Sequence, residues 1–324
     1  MSHGFGKIAA IIVTYNCGEE FRANLAAISP QVDAVVIVDN STEQASNEFL
    51  QRLVPEHTNV KLLYNGRNVG LGAAQNIGIR LACHEGAEWM LLLDDDSRAE
   101  PDMIAAMWRA YEHNPERERI GICAPLIVDA NGEKNYRCLL PRGKIFFQRK
   151  ELREHEYLNG VLCVMASGSL IRRRVFERIG LMREDFFIDY IDWEFCLRMI
   201  LGGWIIMAVS AARLNHNLGR MTTHRMFGRS FITTNHPASR RYTNARNRTI
   251  FWRLYVTRVP LACTLYNFMA SVYEYLLILL FEEQKITKAA IIIQGVWDGL
   301  RARNIRIAPP QLEFGVQSSE FRVQ

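Results

Sequence analysis

The order of apolar runs predicts an α/β fold, a mainly parallel sheet flanked by helices and followed by a helical C-terminal region. Three observations carry this. Short β-branched apolar runs alternate with segments of helical spacing over residues 1–125, the pattern of βαβ units. Those runs are nearly all apolar, as strands covered on both faces must be. Beyond residue 125 the chain turns first to charge, glycine and proline, then to basic and aromatic residues.

Taken in order, Lys7–Val13 predicts a strand, Cys17–Ser29 a helix and Ala34–Val38 a strand. Ser46–Leu53 is a helix, Val60–Tyr64 a strand and Gly72–Cys83 a helix. Trp89–Leu93 is a strand ending in acids, Pro101–His113 a helix with proline near its first turn, and Ile120–Ala124 a strand. Leu126–Glu156 should form loops with short strands, Val164–Leu170 a strand, and Arg172–Ile179 a basic helix. Asp192–Leu201 has helical spacing, Trp204–Val209 reads as a strand, and from about Met221 the chain is expected to be helical. The chain thus divides into residues 1–220, with halves 1–125 and 126–220, and a C-terminal region 221–324.

A composition of 49% hydrophobic and 23% charged residues is globular, not disordered. The net charge of +5 suits an acidic substrate such as a nucleotide diphosphate, or an anionic membrane surface, and is too weak to argue for nucleic acid. Seven scattered cysteines with no CxxC pair argue against a zinc cluster or disulfide framework and point to a reducing cytosol. The N-terminus lacks the cationic start and long apolar core of a signal peptide. Leu261–Phe281 is the best candidate for a membrane span, but Asn267, Glu274 and three tyrosines interrupt it, so it reads as a buried or interfacial helix.

Ligands of open α/β sheets bind at the carboxyl ends of the strands. The loops there are Thr14-Tyr15-Asn16, Asp39-Asn40-Ser41, Asn65–Gly72 and Asp94-Asp95-Asp96-Ser97, all polar. Three adjacent aspartates at a buried strand's end repel one another, and one would be forced to protonate. A divalent cation removes that conflict, and Mg²⁺ and Mn²⁺ favour carboxylate oxygen. The competing reading is a solvated acidic turn.

V-T-Y-N at the first strand, V-D-N-S at the second, N-x-G-x-x-x-A-x-N-x-G over Asn68–Gly78, and L-D-D-D after the fourth resemble the inverting family 2 glycosyltransferases of the GT-A fold. The resemblance continues through Gly168–Gly180 and Ile191–Arg198, in the expected order, over about two-thirds of the chain. Arg240–Arg248 and Gly295–Arg303 resemble the bacterial rhamnosyltransferases of that family, which use dTDP-L-rhamnose to build cell-surface polysaccharide.

The resemblance implies a role for each matching position. Asp39 would bond the nucleotide base, with Thr14, Tyr15 and Asn16 beside the nucleoside; a turn or cap role is the plainer reading of Asp39. Asn68 and Gly70 would sit near the donor. Asp94 and Asp96 form the D-x-D element, Asp96 as a ligand of Mn²⁺ or Mg²⁺ and Asp94 meeting the ribose or the metal. Asp95 is the least assignable and is grouped with the nucleotide-sugar site. His216 matches a position that completes the metal site. Asp192 would be the base that deprotonates the acceptor hydroxyl. The glutamate expected before it is Ile191 here, a departure, and Asp189 and Glu194 stand close enough in sequence to share the role. N-capping is the bland reading of Asp192. Arg240, Arg241, Arg246 and Arg248 either clamp the diphosphate or face anionic lipid, and a solvated basic face is the third reading.

The partners implied are a nucleotide-diphosphate sugar and a glycan or lipid-linked glycan acceptor, with peripheral contact at the inner face of the cytoplasmic membrane and a homo-oligomer as further expectations. Alternatives within the class are a UDP- or GDP-sugar or galactofuranose donor. A nicotinamide oxidoreductase is disfavoured, because the stretch at Gly70-x-Gly72 has Gln75 where the fingerprint needs Gly or Ala. A nucleotidyltransferase of this fold should have a glycine-rich loop where T-Y-N-C-G-E-E stands. A non-catalytic sugar-nucleotide or glycan-binding module would not need both Asp96 and Asp192.

Overall fold

A computed structural model of the chain describes residues 4, 6–129, 137–143, 145–154, 156–216, 222–226, 228–303 and 305. The N-terminal half alternates Ile8–Thr14 (β1), Glu20–Ile28 (α1), Ala34–Asp39 (β2), Gln44–Leu53 (α2), Val60–Tyr64 (β3), Leu71–His84 (α3), Trp89–Asp94 (β4), Ser97–Ala99 (β5) and Met103–Glu112 (α4). β3, β2, β1 and β4 lie side by side in that order, all parallel. The chain crosses from β3, at the edge, to β4 on the far side of β1. That reversal of direction opens a crevice at the carboxyl ends of β1 and β4.

β1 explains the layering. Every one of its residues is buried. Ile8, Ala10 and Ile12 pack into the core beneath α1, α2 and α4, while Ala9 and Ile11 point to the opposite face, toward α3. Burying each such Val or Ile contributes about 1.5–3 kcal/mol.

The second half comprises Ile120–Asp129 (β6), Arg137–Arg142 (β7), Phe146–Glu151 (β8), Tyr157–Asn159 (β9), Leu170–Arg172 (β10), Arg173–Ile179 (α5), Ile191–Leu201 (α6) and Ile205–His216 (β11). Thr222–Met226 (β12), Arg229–Thr233 (β13), Ala238–Tyr255 (α7), Leu261–Phe281 (α8) and Lys285–Arg301 (α9) follow. The sheet continues β4-β10-β6-β11-β5, with β9 also on β11. β10 is antiparallel to both neighbours, β6 and β11 are parallel, and β5 and β9 run antiparallel to β11. The sheet is therefore parallel in its first half and mixed in its second.

Several elements depart from expectation. Val164–Leu170 is not a strand; only Leu170–Arg172 pairs. The Ser169 hydroxyl donates to the Met165 carbonyl at 2.6 Å and the Ser169 amide to the Ala166 carbonyl at 2.9 Å, which folds the segment into a turn. β11 runs past Val209 to His216. Its register against β6 shifts between Val209 and Arg213, opposite Pro125 and Leu126, because Pro125 offers no amide to the ladder. The hairpin β12–β13 precedes the C-terminal helices where helix was expected. Pro101 stands before the left-handed N-cap Asp102 and not inside the first turn. The expectations for the segment after His216, the 220/221 boundary and the chain beyond residue 305 fall on residues outside those described.

α7 and α9 pack closely. A side chain at Gly295 would meet the Tyr242 carbonyl at 2.6 Å and one at Gly299 the Arg246 carbonyl at 2.8 Å, so the two glycines set that approach. Buried Arg241 joins α7 to Glu274 of α8 at 2.6 Å and to Glu282, whose other oxygen takes Lys288 of α9 at 2.8 Å. α8 is not a buried helix: its outward residues are exposed, and Cys263–Phe281 is long and apolar enough to cross a membrane by length and composition.

Candidate active site

The polar loops converge at the carboxyl edge of the sheet. Asp94 ends β4 and Asp96 follows two residues later. Antiparallel pairing of β5 with β11 sets His216 opposite Ser97. That register brings a histidine 120 residues downstream of Asp96 onto the aspartate turn, with Nδ1 3.2 Å from the Asp96 carboxylate. One ligand atom from each of Asp94, Asp96 and His216 lies within 4.8 Å of the others. Ser97 and Ser167 hold this group in place. The Ser97 hydroxyl is 2.8 Å from His216 Nδ1 and 2.7 Å from the Ser167 hydroxyl, which accepts the Asp94 amide at 3.1 Å. Neither serine was singled out from sequence; Ser167 lies on the turn that was read as a strand.

Charge is concentrated here. Burial pushes the Asp94 carboxyl up to about 6, with Asp96 adding to the rise while His216 and Arg240 oppose it. Burial likewise pushes Asp95 up to about 7. Burial alone would lower the His216 pKa, but Asp96, Asp94 and Asp95 override it and the net shift is upward. Two carboxylates and an imidazole this close make a donor set for a divalent cation, which would relieve the repulsion that favours protonation. Asp95 points elsewhere: its carboxylate accepts the Tyr15 amide at 2.9 Å, tying the loop after β1 to the aspartate turn.

The positions expected to meet the nucleoside are also brought together. Asp39 is buried, and its Oδ1 accepts the hydroxyls of Thr14 and Ser41 at 2.8 and 2.6 Å and the Ser41 amide at 3.2 Å. Among the described residues none donates to Oδ2. Asn16, with φ 51°, accepts the Thr42 and Glu43 amides through Oδ1 at 2.9 and 3.2 Å, so it shapes the loop after β2. Tyr15 stays half exposed beside it. Asn68 Oδ1 accepts the Gly70 amide at 2.9 Å. Gly70 has φ 89°, and a Cβ there would meet Phe187 Cδ2 at 2.6 Å. The Leu71 amide donates to the Phe187 carbonyl at 2.6 Å, so the Asn68–Gly70 turn abuts the loop leading to Asp192.

Asp192 is the second residue of α6, and the N-cap is Tyr190. The Trp193 amide donates to Asp192 Oδ1 at 2.8 Å. Burial pushes this carboxyl up to about 6, with Asp189 and Asp94 adding to the rise, so Asp192 stands within electrostatic reach of Asp94. The other two acids are engaged. Asp189 pairs with Arg240 at 2.9 Å, and fully buried Glu194 takes Arg198 at 2.9 Å and the Tyr255 hydroxyl at 2.7 Å.

The loop before Asp192 is strained, since Phe187, Asp189 and Tyr190 all have left-handed φ. α7 holds it. Buried Asn247 donates its amide to the carbonyls of Phe186, Ile188 and Asp189 at 2.6, 2.9 and 3.1 Å. The α7 arginines do not form a lipid-facing cluster. Arg241 and Arg248 are buried against Glu274, and Arg246 donates to the Asp185 carbonyl at 3.0 Å. Arg240 is the member of the set that lowers the Asp94 pKa. A cavity of about 550 Å³ lined by Trp89, Trp108 and Arg172–Arg174 lies at the amino-terminal end of β4, at the opposite edge of the sheet.

The family model for glycosyl transferase family 2 matches residues 9–180, which include the loops after β1 and β2 and the aspartate turn. The chain belongs to glycosyl transferase family 2. It is a glycosyltransferase with the GT-A fold. The dTDP-rhamnosyl transferase RfbF of Shigella flexneri is 30% identical over 91% of this chain and 96% of its own length. The N-acetylglucosaminyl-diphospho-decaprenol L-rhamnosyltransferase of Mycobacterium tuberculosis is 26% identical over 66% of this chain and 77% of its own. Among solved structures, GalNAc-T7 with UDP, GalNAc and Mn²⁺ gives a TM-score of 0.58 at 16% identity over 78% of this glycosyltransferase, which spans 48% of that chain. S. aureus TarS 1–349 gives 0.51 at 15% identity over 92% of this chain and 72% of its own. At those identities the likeness concerns the fold.

Proposed function

We infer that this glycosyltransferase inverts its donor's anomeric centre and transfers L-rhamnose from dTDP-L-rhamnose to a hydroxyl of a cell-surface glycan or lipid-linked glycan in the bacterial cytoplasm. The observation that supports the reading is the convergence of Asp94, Asp96 and His216 at the carboxyl edge of the sheet, with Asp192, whose carboxyl Asp94 helps to raise, on the first turn of α6. Asp192 accepts the proton of the attacking hydroxyl, and its raised pKa suits a base working close to neutral pH. Thr14, Tyr15, Asn16 and the free oxygen of Asp39 hold the nucleoside, Asn68 and Gly70 border the donor sugar, and Asp95 fixes the loop beneath. Arg240 faces the diphosphate, and Arg246 steadies the segment at Asp185. Mn²⁺ or Mg²⁺ held by Asp94, Asp96 and His216 would offset charge on the leaving nucleoside diphosphate. Residues 1–125 thus serve the nucleotide and metal, 126–220 the acceptor and base, and the C-terminal region closes the site through α7.

The choice of rhamnose rests on the names of the Shigella and mycobacterial relatives. It is tested by thermal stability with a panel of nucleotide sugars, with and without Mn²⁺. A ligand at a hundred times its dissociation constant stabilises by about 2.7 kcal/mol. Strongest stabilisation by dTDP-rhamnose with metal supports the reading; a stronger UDP- or GDP-sugar overturns the donor. NMR of the product decides inversion.

A further inference from the structure

α8 is a 21-residue helix whose single charged residue, Glu274, turns inward to Arg241 and Arg248. Its outward stripe carries Leu265, Phe268, Met269, Val272, Leu276 and Leu280, each between 37% and 62% exposed. These recur at helical spacing and form one uncharged apolar face. The β7–β8 hairpin stands beside it: Phe147 lies 5.5 Å from the Tyr266 ring, and the Arg149 guanidinium sits over that ring at 4.4 Å. The hairpin tip exposes Ile145 and Phe146 at 55% and 62%. Arg142 pairs in register with Phe146, and exposed Arg258 precedes α8. At the other end of α8, His224 of β12 stacks on Phe281 at 4.6 Å, with Arg225 and Arg229 exposed nearby in the same hairpin.

The charge around this face is mainly positive. Segments 137–150, 222–233 and 256–281 together hold eight lysines and arginines and a single carboxylate, the inward-facing Glu274. Just beyond α8, Glu283 and Lys285 offset one another. Lys150 is paired with Glu156 and Glu151 ends β8, yet the cations remain in excess, and an apolar helix face with such a rim fits a surface of anionic headgroups over acyl chains. The same face of a second copy would meet the rim mainly with like charge. The helix also has reason to lie flat: Cys263, Leu277 and Ile278 are buried in the fold, and crossing a bilayer would tear Glu274 from its two arginines.

We propose that the outward face of α8 and the tip of the β7–β8 hairpin dock this protein onto an anionic membrane surface, with α8 lying in the headgroup layer. This does not depend on the donor sugar. The full chain is sedimented with vesicles of phosphatidylcholine alone or mixed with phosphatidylglycerol, at low and high salt. Binding to the mixed vesicles should exceed that to neutral ones by about tenfold or more at low salt and weaken as salt screens the arginines. Phe268→Glu with Leu276→Glu should abolish it, and Arg142→Glu with Arg149→Glu should remove the anionic preference, all four sites being exposed enough to leave the thermal midpoint in place. Wild type that ignores anionic vesicles at low salt overturns the proposal, as does binding that survives the double glutamate variant. A wild-type dimer that the same variant converts to monomer, without vesicle binding by either, assigns the face to a second copy instead. Resistance to alkaline carbonate extraction from membranes would mean that α8 spans.

Discussion

The Asn247 side-chain amide donates to the Phe186 carbonyl at 2.6 Å, so a buried residue of α7 holds the strained loop that delivers Asp192. The same amide reaches the carbonyls of Ile188 and Asp189. Left-handed φ at non-glycine residues costs roughly 1–3 kcal/mol each and persists only where neighbours impose it. Asn247→Leu should therefore let the loop relax and displace the base. A misplacement of about 1 Å can cost on the order of a hundredfold in rate. The expected result is a drop in kcat with the donor KM little changed, and an altered acid limb in the pH profile. A fall in thermal stability alone, with kinetics intact, would reduce Asn247 to a packing residue.

As the proposed base, Asp192 should set the pH dependence. Its carboxyl is pushed up to about 6 by burial, with Asp189 and Asp94 adding to the shift. The base must be ionised to accept a proton, so activity should rise with pH through about 6 and level off above it. Asp192→Asn should lower kcat by roughly 10²–10⁴ and remove that limb. A pH–rate profile of both proteins checks this.

Metal binding should compete with protons. Ligands must give up protons to bind a cation, and burial holds Asp94 protonated up to about 6. Mn²⁺ should therefore raise the thermal midpoint more at pH 7.5 than at pH 5.5. Asp96→Asn and His216→Ala should each remove most of the effect. A metal response that survives both would place the ion elsewhere.

The Arg241–Glu282 pair should govern the stability of the C-terminal helices. Both side chains are buried, and Lys288 completes the pair. Arg241→Met leaves Glu282 with Lys288 and Glu274 with Arg248, so it should destabilise by less than the roughly 3–5 kcal/mol typical of a buried charge left with no partner. Burial alone would raise the Glu282 pKa, but Lys288 and Arg241 hold it below the ordinary value. A depressed carboxylate contributes stability above its unfolded pKa and loses it as pH falls through the folded pKa. Glu282→Gln should therefore be less stable than wild type at neutral pH, and the gap should narrow in acid. Denaturant melts at two pH values measure it.

The N-terminal half was legible because its physics is local. β1 to β4 are short and mostly apolar, so burial dictates strands, and their boundaries moved by a residue or so. The three aspartates declared themselves by a mutual repulsion that a cation would relieve. His216 was legible through its resemblance, yet its position depends on a strand that the bulge opposite Pro125 carries past Val209. Ser167 was hidden in a segment whose β-branched and apolar residues read as a strand, while side-chain hydrogen bonds made a turn.

What the sequence alone determined is the α/β order and the polar edge, which follow from composition and spacing along a few residues, and, through the resemblance, the acids expected at the site. What tertiary structure decided is which of those acids are free. Asp189 and Glu194 sit within a few residues of Asp192; Arg240, 51 residues away, takes Asp189, and Tyr255, 61 residues away, joins the neighbouring Arg198 on Glu194. Asn247 and the α7 arginines face inward for the same reason: a buried charge or carbonyl must find its partner, and partners that far apart in the chain meet only when the fold closes.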